Sequence, residues 1–375
     1  MELTLQRSEL QRELQLCQGV VEKRSTIPIL SNVLLRANGD RLEIAATDLD
    51  VTIQTSCPAI VTTEGGMTVE ARRIFDIIRS LPDDEVKLTL QENESLLVES
   101  GTAKFRLLGL PADDYPSLPK VDRKSSFEVP LGDLTSMVEK VIFAITHEET
   151  RFQLNGALLK IYRDKMEMVA TDGYRMALVN TPREFEGIKK NDAVTMLIPR
   201  KALQEILKME PLGDDPSLHF GVSENHLYFE TGHRTLMARM IDVNFPNYME
   251  VIAKDNDKRV VVDRDRLHST IRRVSLVANE RTRAVRLDFA AGKLTVSSTN
   301  AELGDARESV PIEYSGDPFY VGLNGTYLAD FLNVVDCANV TLDLKDESSQ
   351  CIARPMDEDE TPFDYLYVVM PMRIS

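Results

Sequence analysis

The chain has 375 residues, 43% of them hydrophobic, and a formal net charge of −16. That length suits two or three domains, and no apolar stretch is long enough for a membrane-spanning helix. The charge argues against a uniformly basic nucleic-acid surface. The isolated cysteines Cys17, Cys57, Cys337 and Cys351, with no visible leader, suggest neither a zinc knuckle nor a redox dithiol and point to the reducing cytoplasm.

Leu3 to Gln6 alternates as a strand. Ser8 then offers a cap for a helix carrying Leu10, Leu14, Leu16 and Val20. Short β-rich runs lead to Cys57. A second helix opens near Arg72 and must stop before Pro82. Strands from Val86, Ser95 and Lys104 follow, with turn signals at Glu92-Asn93 and Ser100-Gly101. The pattern restarts at Phe127-Glu128-Val129-Pro130, with a helix through Leu134, Met137, Val138 and Val141. It restarts again at Arg259-Val260-Val261-Val262, where Asp263 or Asp265 caps a helix through Leu267, Ile271 and Val274. Each unit reads as strand, helix, three strands, then strand, helix, three strands.

The restart is an internal repeat. Thr47-Asp48-Leu49, Thr171-Asp172-Gly173 and Thr299-Asn300-Ala301 each follow an apolar run. Asp114-Tyr115-Pro116 is matched by Asn244-Phe245-Pro246. A period this long marks whole domains, not a solenoid. We expect domains at 1–121, 127–253 and 258–375, each α+β with two helices on one face of antiparallel sheets. Such repetition favours a protein whose function is its shape. The helices starting near Arg72, Arg200 and Arg264 are locally basic, while acid gathers at Asp83-Asp84-Glu85, Asp214-Asp215 and Asp357-Glu358-Asp359-Glu360.

Enzyme signatures are missing. There is no glycine-rich phosphate loop. His147-Glu148-Glu149-Thr150-Arg151 lacks the second histidine of a zinc-protease helix, and Asp357 to Glu360 lacks a spaced ligand pattern. We expect no catalytic residue, no metal and no cofactor. The ending Val368-Val369-Met370-Pro371-Met372-Arg373 reads either as an edge strand packed on the core or as part of a peptide groove, since methionine adapts to varied apolar partners.

Thr26-Ile27-Pro28-Ile29-Leu30-Ser31-Asn32, Leu154-Asn155-Gly156, Ala170-Thr171-Asp172-Gly173-Tyr174-Arg175, Phe245-Pro246-Asn247-Tyr248 and Val369-Met370-Pro371-Met372-Arg373 resemble the bacterial sliding clamps, the β subunits of replicative DNA polymerase III. The resemblance runs from the first strand to the C-terminus. It implies a non-catalytic processivity factor in DNA replication, three clamp domains forming half of a ring, and a head-to-tail homodimer around double-stranded DNA. Twelve helices about 10 Å apart put their axes on a circle roughly 38 Å across, leaving a hole of roughly 28 Å, enough for a duplex.

The resemblance also implies sites. A groove for a short peptide motif of the polymerase catalytic subunit, the clamp loader, other polymerases and repair proteins falls on Leu154, Thr171, Gly173, Tyr174, Arg175, Met176, Pro246 and Val251, with Asn324, Tyr327, Val368, Met370, Pro371, Met372 and Arg373. In it, Arg175 and Arg373 are expected at the polar margins of an apolar trough. Sequence-independent DNA contacts fall on Arg24, Arg73, Arg151, Arg200, Lys201 and Arg283. The dimer interface falls on Lys104, Phe105 and Leu107 against Leu276, Val277, Glu302, Asp305 and Glu308. The alternatives are a protein–protein scaffold that never meets nucleic acid, or a metal-dependent hydrolase using the acidic clusters.

Overall fold

The computed structural model describes all residues except 23–25, 83, 122–125, 149, 191, 212–215, 357–362 and 375. Arg24, Ser375 and the acidic runs at 214–215 and 357–360 therefore lie outside the described residues.

The first repeat runs β1 (Glu2–Gln6), α1 (Arg7–Cys17), β2 (Asn32–Asn38), β3 (Arg41–Thr47), β4 (Val51–Pro58), β5 (Ile60–Thr63), β6 (Gly65–Glu70), α2 (Ala71–Ser80), β7 (Glu85–Gln91), β8 (Ser95–Ser100) and β9 (Ala103–Pro111). The second runs β10 (Ser126–Pro130), α3 (Leu131–Val141), β11 (Gly156–Ile161), β12 (Lys165–Thr171), β13 (Arg175–Pro182), β14 (Val194–Pro199), α4 (Arg200–Ile206), β15 (Ser217–Ser223), β16 (His226–Thr231) and β17 (Arg234–Arg239). The third runs β18 (Lys258–Asp263), α5 (Arg264–Val274), β19 (Ala284–Ala290), β20 (Lys293–Asn300), β21 (Gly304–Pro311), β22 (Phe319–Asn324), α6 (Gly325–Val334), β23 (Asn339–Leu344), β24 (Cys351–Met356) and β25 (Asp364–Val369). The fold is α+β, as expected. The first repeat holds one strand beyond the expected pattern: β5 pairs with the outer side of β1 and covers an edge that would otherwise stay open.

Helix positions follow from periodicity and caps. In α2, Ala71, Ile74 and Ile78 are buried while Arg72, Arg73 and Arg79 face water. In α5, Leu267, Ile271 and Val274 are buried, each contributing about 1.5–3 kcal/mol, and Asp263 caps the helix by accepting from the Arg266 amide at 2.8 Å. The Ser8 cap is not used: α1 begins at Arg7 with Gln6 at its N-cap. The Arg7 amide donates instead to the Asp84 carbonyl at 2.6 Å. The first amides of α3 and α5 do likewise, to Pro216 at 2.7 Å and Ala338 at 3.0 Å. A carbonyl from the other half of the repeat satisfies an orphan donor that a side chain would otherwise serve.

The chain divides into two compact units, 1–135 with 201–240 and 136–200 with 241–375. The first holds one 13-stranded sheet, ordered β10-β15-β16-β17-β4-β3-β2-β6-β9-β8-β7-β1-β5. The second holds an eight-stranded sheet, β14-β11-β12-β13-β25-β24-β23-β18, and a four-stranded one, β21-β20-β19-β22. Each large sheet runs across a repeat boundary. In the first unit β17 pairs antiparallel with β4, Met237 opposite Thr52. In the second β25 pairs antiparallel with β13, Val368 opposite Met176. Because β25 also pairs with β24, the C-terminal strand is interior to its sheet, which corrects the edge-strand reading.

The first unit is pinned by a buried ion pair. Glu13 of α1 is fully buried and accepts from Arg234 Nη2 on Oε1 at 2.7 Å and from Arg234 Nε on Oε2 at 3.0 Å, with Thr55 of β4 also donating to Oε2 at 2.5 Å. Burial alone would raise the Glu13 pKa, but these donors outweigh it and hold the carboxyl below its usual range.

Candidate functional site

The Thr-Asp motif is a hydrogen-bonded turn. Thr171 Oγ1 donates to the Arg175 carbonyl at 2.6 Å and accepts from the Gly173 amide at 3.0 Å. Asp172 Oδ1 accepts from the Tyr174 and Arg175 amides at 2.9 and 3.0 Å. Gly173 sits at φ +89°, where a glycine costs least. The first repeat builds the same turn from Thr47 and Asp48, although Leu49 occupies the φ +82° position. In the third repeat Asn300 Oδ1 accepts only from the Glu302 amide. The turn there is one residue longer, since Thr299 pairs with Asp305 where Thr171 pairs with Met176.

In the second repeat this turn presents Tyr174, 53% exposed, at the mouth of a cleft of about 120 Å³. The cleft is lined by Leu154, Thr171, Gly173, Tyr174, Arg175, Met176, Pro246, Tyr248, Val251, Val368 and Met370. Ten of these were expected; Tyr248 was not. Met176, Tyr248 and Val368 belong to a buried cluster with Leu158, Val169 and Leu366, so the floor is apolar and rigid. Past β25 the tail continues extended, its Met370 amide donating to the Tyr174 carbonyl at 2.9 Å and its Met372 amide to Gly322 at 2.8 Å.

Five expected groove residues, Asn324, Tyr327, Pro371, Met372 and Arg373, do not line this cleft. Asn324 caps α6, accepting from the Thr326 and Tyr327 amides. Met372 and Arg373 line a separate open cleft of about 760 Å³ with residues 279–286 and 297–303. Arg175 is not a polar margin either, since its side chain is only 11% exposed. It bonds Asp172 at 3.0 Å, Asp330 at 2.5 Å and the Phe143 carbonyl at 2.5 Å, and its guanidinium lies 4.3 Å from the centre of the Tyr327 ring. Burial opposes its charge, but Tyr367, Asp330 and Asp172 raise its pKa overall. Arg175 thus lines the cleft with its donors already spent on Asp172, Asp330 and the Phe143 carbonyl.

Tyr248 hangs from the face of the sheet below it. Its hydroxyl donates to the carboxylate of Glu167 on β12 and accepts from Lys160 Nζ of β11 at 3.0 Å. Glu167, 6% exposed, also takes Lys165 Nζ at 3.2 Å. Burial is the main cause that raises the tyrosine's pKa, with the Glu167 hydrogen bond and charge adding to it.

Three family models match in order: the N-terminal domain of the DNA polymerase III beta subunit over residues 1–119, its central domain over 128–247 and its C-terminal domain over 249–373. The chain belongs to the bacterial β sliding clamp family. It is 34% identical over 380 residues to the Beta sliding clamp of Pseudomonas putida and 36% over 382 residues to that of Caulobacter vibrioides, covering 100% of both chains in each case. A Pseudomonas aeruginosa clamp, crystallised bound to griselimycin, superposes with a TM-score of 0.90 at 34% identity over 100% of both chains. Membership makes the chain a processivity clamp of DNA replication, a non-catalytic subunit of the polymerase.

The basic residues of this clamp fall into two groups. Arg200 is half-buried and donates to the Ile145 carbonyl at 2.9 Å. Lys201 is held by the Val20 carbonyl at 2.8 Å and by Asp48. Arg151 bonds Glu148 at 2.9 Å and the Asp172 carbonyl at 3.1 Å. These three hold structure. Arg73 and Arg283 are exposed, Arg73 paired to Glu70 at 3.0 Å. Arg72, Arg266 and Arg272 are also exposed on α2 and α5, and the sequence reading did not single them out.

The residues expected at a dimer interface also divide. On β9, Phe105 is 36% exposed and Lys104 pairs with Glu99 at 2.7 Å. Leu107 is 6% exposed and points into its own core, while Leu108 is 79% exposed. Leu276 is 79% exposed beside the half-buried Val277. Glu302 and Asp305 are exposed, but Glu308 is engaged by Arg273 at 2.5 Å and Thr270 at 2.9 Å.

Proposed function

We propose that this chain acts in the cytoplasm as a head-to-tail homodimer of three clamp domains per copy, 1–121, 127–253 and 258–375. The homodimer encloses double-stranded DNA without reading its sequence. It tethers the polymerase catalytic subunit, the clamp loader, other polymerases and repair proteins through the cleft at Tyr174.

The observation that carries the ring is the reuse of one strand junction. The last strand of the second repeat docks on β4, and the last strand of the third docks on β13. One such strand and one such acceptor are left over. β9 is the last strand of the first repeat, and its residues 103–108 pair only with β8. β21 is the third repeat's counterpart of β4 and β13 and pairs only with β20 along its length. Joining β9 of one copy to β21 of another makes a heterologous contact that closes after two copies if each spans half the circle.

The junctions also suggest a register for this contact. The residue paired with the turn threonine is Thr52, Met176 or Asp305 in the three repeats. Thr52 meets Met237 and Met176 meets Val368, a step of 131 residues along the docking strands. The β16–β17 and β8–β9 hairpins are offset by the same 131, which makes Arg106 the counterpart of Met237. Arg106 then falls opposite Asp305, Phe105 opposite Ala306, and Lys104, already neutralised by Glu99, opposite Arg307. A cross-strand charge pair suits an interface.

DNA contact rests on phosphates met by exposed arginines of α2 and α5, in a molecule whose net charge of −16 disfavours open binding. Retention is therefore topological. Protein loaded on nicked circular DNA should co-sediment with the circle and leave when the circle is linearised. Retention on free-ended linear DNA at physiological salt would overturn this.

A further inference from the structure

We propose that Glu167 and Lys160 are positioning residues for the peptide cleft: through Tyr248 they fix the wall formed by Pro246 to Val251. The proposal rests on the reading of this cleft as the partner site.

Glu167 is a nearly buried carboxylate that does not line the cleft but bonds Tyr248, which does. It stands on β12 two residues before Val169 and four before Thr171, so all three share one face of the sheet. Lys160 lies directly opposite it on β11 and Asn180 on β13. The polar cluster stands beside the apolar cluster on the same face. Tyr248 connects them, with its hydroxyl between Glu167 and Lys160 and its ring lining the cleft. The Lys160 ammonium lies 4.8 Å from the centre of the same ring, and Phe245 packs edge-on at 6.2 Å. The segment around Tyr248 is a short turn whose neighbours Met249 and Glu250 are exposed; Phe245, Val251 and the tyrosine ring pack on the apolar cluster, and the tether adds directed hydrogen bonds to that non-directional packing.

The other repeats separate a folding role from a cleft role. In the first repeat Arg36 and Glu43 are cross-strand partners just as Lys160 and Glu167 are, but Leu118 stands where Tyr248 would. Glu43 is exposed and, among the described residues, accepts a single weak bond, from Asn38 at 3.4 Å. In the third repeat Asp288 and Thr295 hold the corresponding pair. The sheet thus forms without the tether twice. The tether is present in the repeat that carries the apolar cleft, which is what a wall-positioning device requires.

The test uses the full-length protein and a synthetic peptide bearing a glutamine followed by Leu and Phe, titrated by fluorescence anisotropy, with dissociation rates and melting curves on the same samples. Tyr248→Phe and Glu167→Ala should weaken binding about tenfold, mainly through faster dissociation, because an unfixed wall must be ordered on binding. Glu167→Gln keeps an acceptor for the hydroxyl and should restore affinity to within about twofold. A role confined to stability would lower the melting temperature yet leave affinity and dissociation rate unchanged, and that result overturns the proposal. Met370→Ala serves as the separate control on the cleft. If it weakens binding while Tyr248→Phe and Glu167→Ala do not, the positioning role fails and the cleft stands. If none of the three changes binding, the cleft reading fails with it.

Discussion

Arg175 shows how a charge can line an apolar cleft while its donors are spent on the protein itself. Its guanidinium joins the turn carboxylate Asp172 to Asp330 of α6, and it lies near two aromatic rings, Phe143 and Tyr327. Removing it leaves two partly buried carboxylates without their shared cation. Arg175→Ala should therefore destabilise the protein by roughly 2–4 kcal/mol, less than for a fully buried pair because Asp330 is partly exposed. A urea midpoint that does not move would refute this role. Lys at this position should rescue little, because it cannot reach three acceptors in one plane. That Thr171, Gly173, Tyr174, Arg175 and Met370 gather at one cleft was legible from the Ala170 to Arg175 and Val369 to Arg373 motifs; that Pro371, Met372 and Arg373 stay outside it was not. Arg175's burial was not, because motif spacing carries no depth. Tyr248 stood inside a recognised motif, Phe245-Pro246-Asn247-Tyr248, but its hydroxyl partners lie on strands about 80 residues away.

At the scale of elements, the C-terminal strand separates packing from recognition. Val368 and Val369 are buried in an interior strand, whereas Met370 to Ile374 lie beyond it and are only partly covered. Deleting residues 370–375 should abolish peptide binding while the melting temperature changes little; loss of the folded state would mean the tail completes the core. The α1–β17 contact makes a second prediction, in pH. Burial lowers the pKa of His233, whose Nε2 stands 3.6 Å from Glu13. A base with a depressed folded pKa is more readily protonated in the unfolded chain, so stability is full above about pH 6.5 and declines as pH falls below it. The lowered Glu13 pKa adds a loss in the same direction at lower pH. Melting temperature should fall from pH 7 to pH 5, and His233→Gln should flatten that slope. Strands and helices were mostly legible because period and turn residues agree locally. The unused Ser8 cap and the extra β5 were not, because both depend on backbone groups brought in from elsewhere in the fold.

At the scale of the whole molecule, the leftover strands β9 and β21 make the assembly testable by charge reversal. Arg106→Glu should shift the protein towards monomer in sedimentation, as should Phe105→Ala. Adding Asp305→Arg to Arg106→Glu should recover the dimer, since the inferred register sets these two residues opposite each other. Failure of the double variant to recover would discard that register. The same strand junction occurs twice within each chain, but its two copies are furnished differently. Where the second repeat offers Met176, Leu178 and Tyr248, the first has Thr52, Gln54 and Leu118 at the corresponding places. The Arg239 amide still donates to Asp50 at 2.8 Å, just as Met370 does to Tyr174. The architecture is thus copied while the greasy lining is not. On the proposed reading this limits valency: each chain would offer one berth and a closed pair two, however many proteins wait to use it. Access to the DNA behind the clamp would then be a matter of occupancy and exchange, with a departing partner's off-rate setting how soon the next can board.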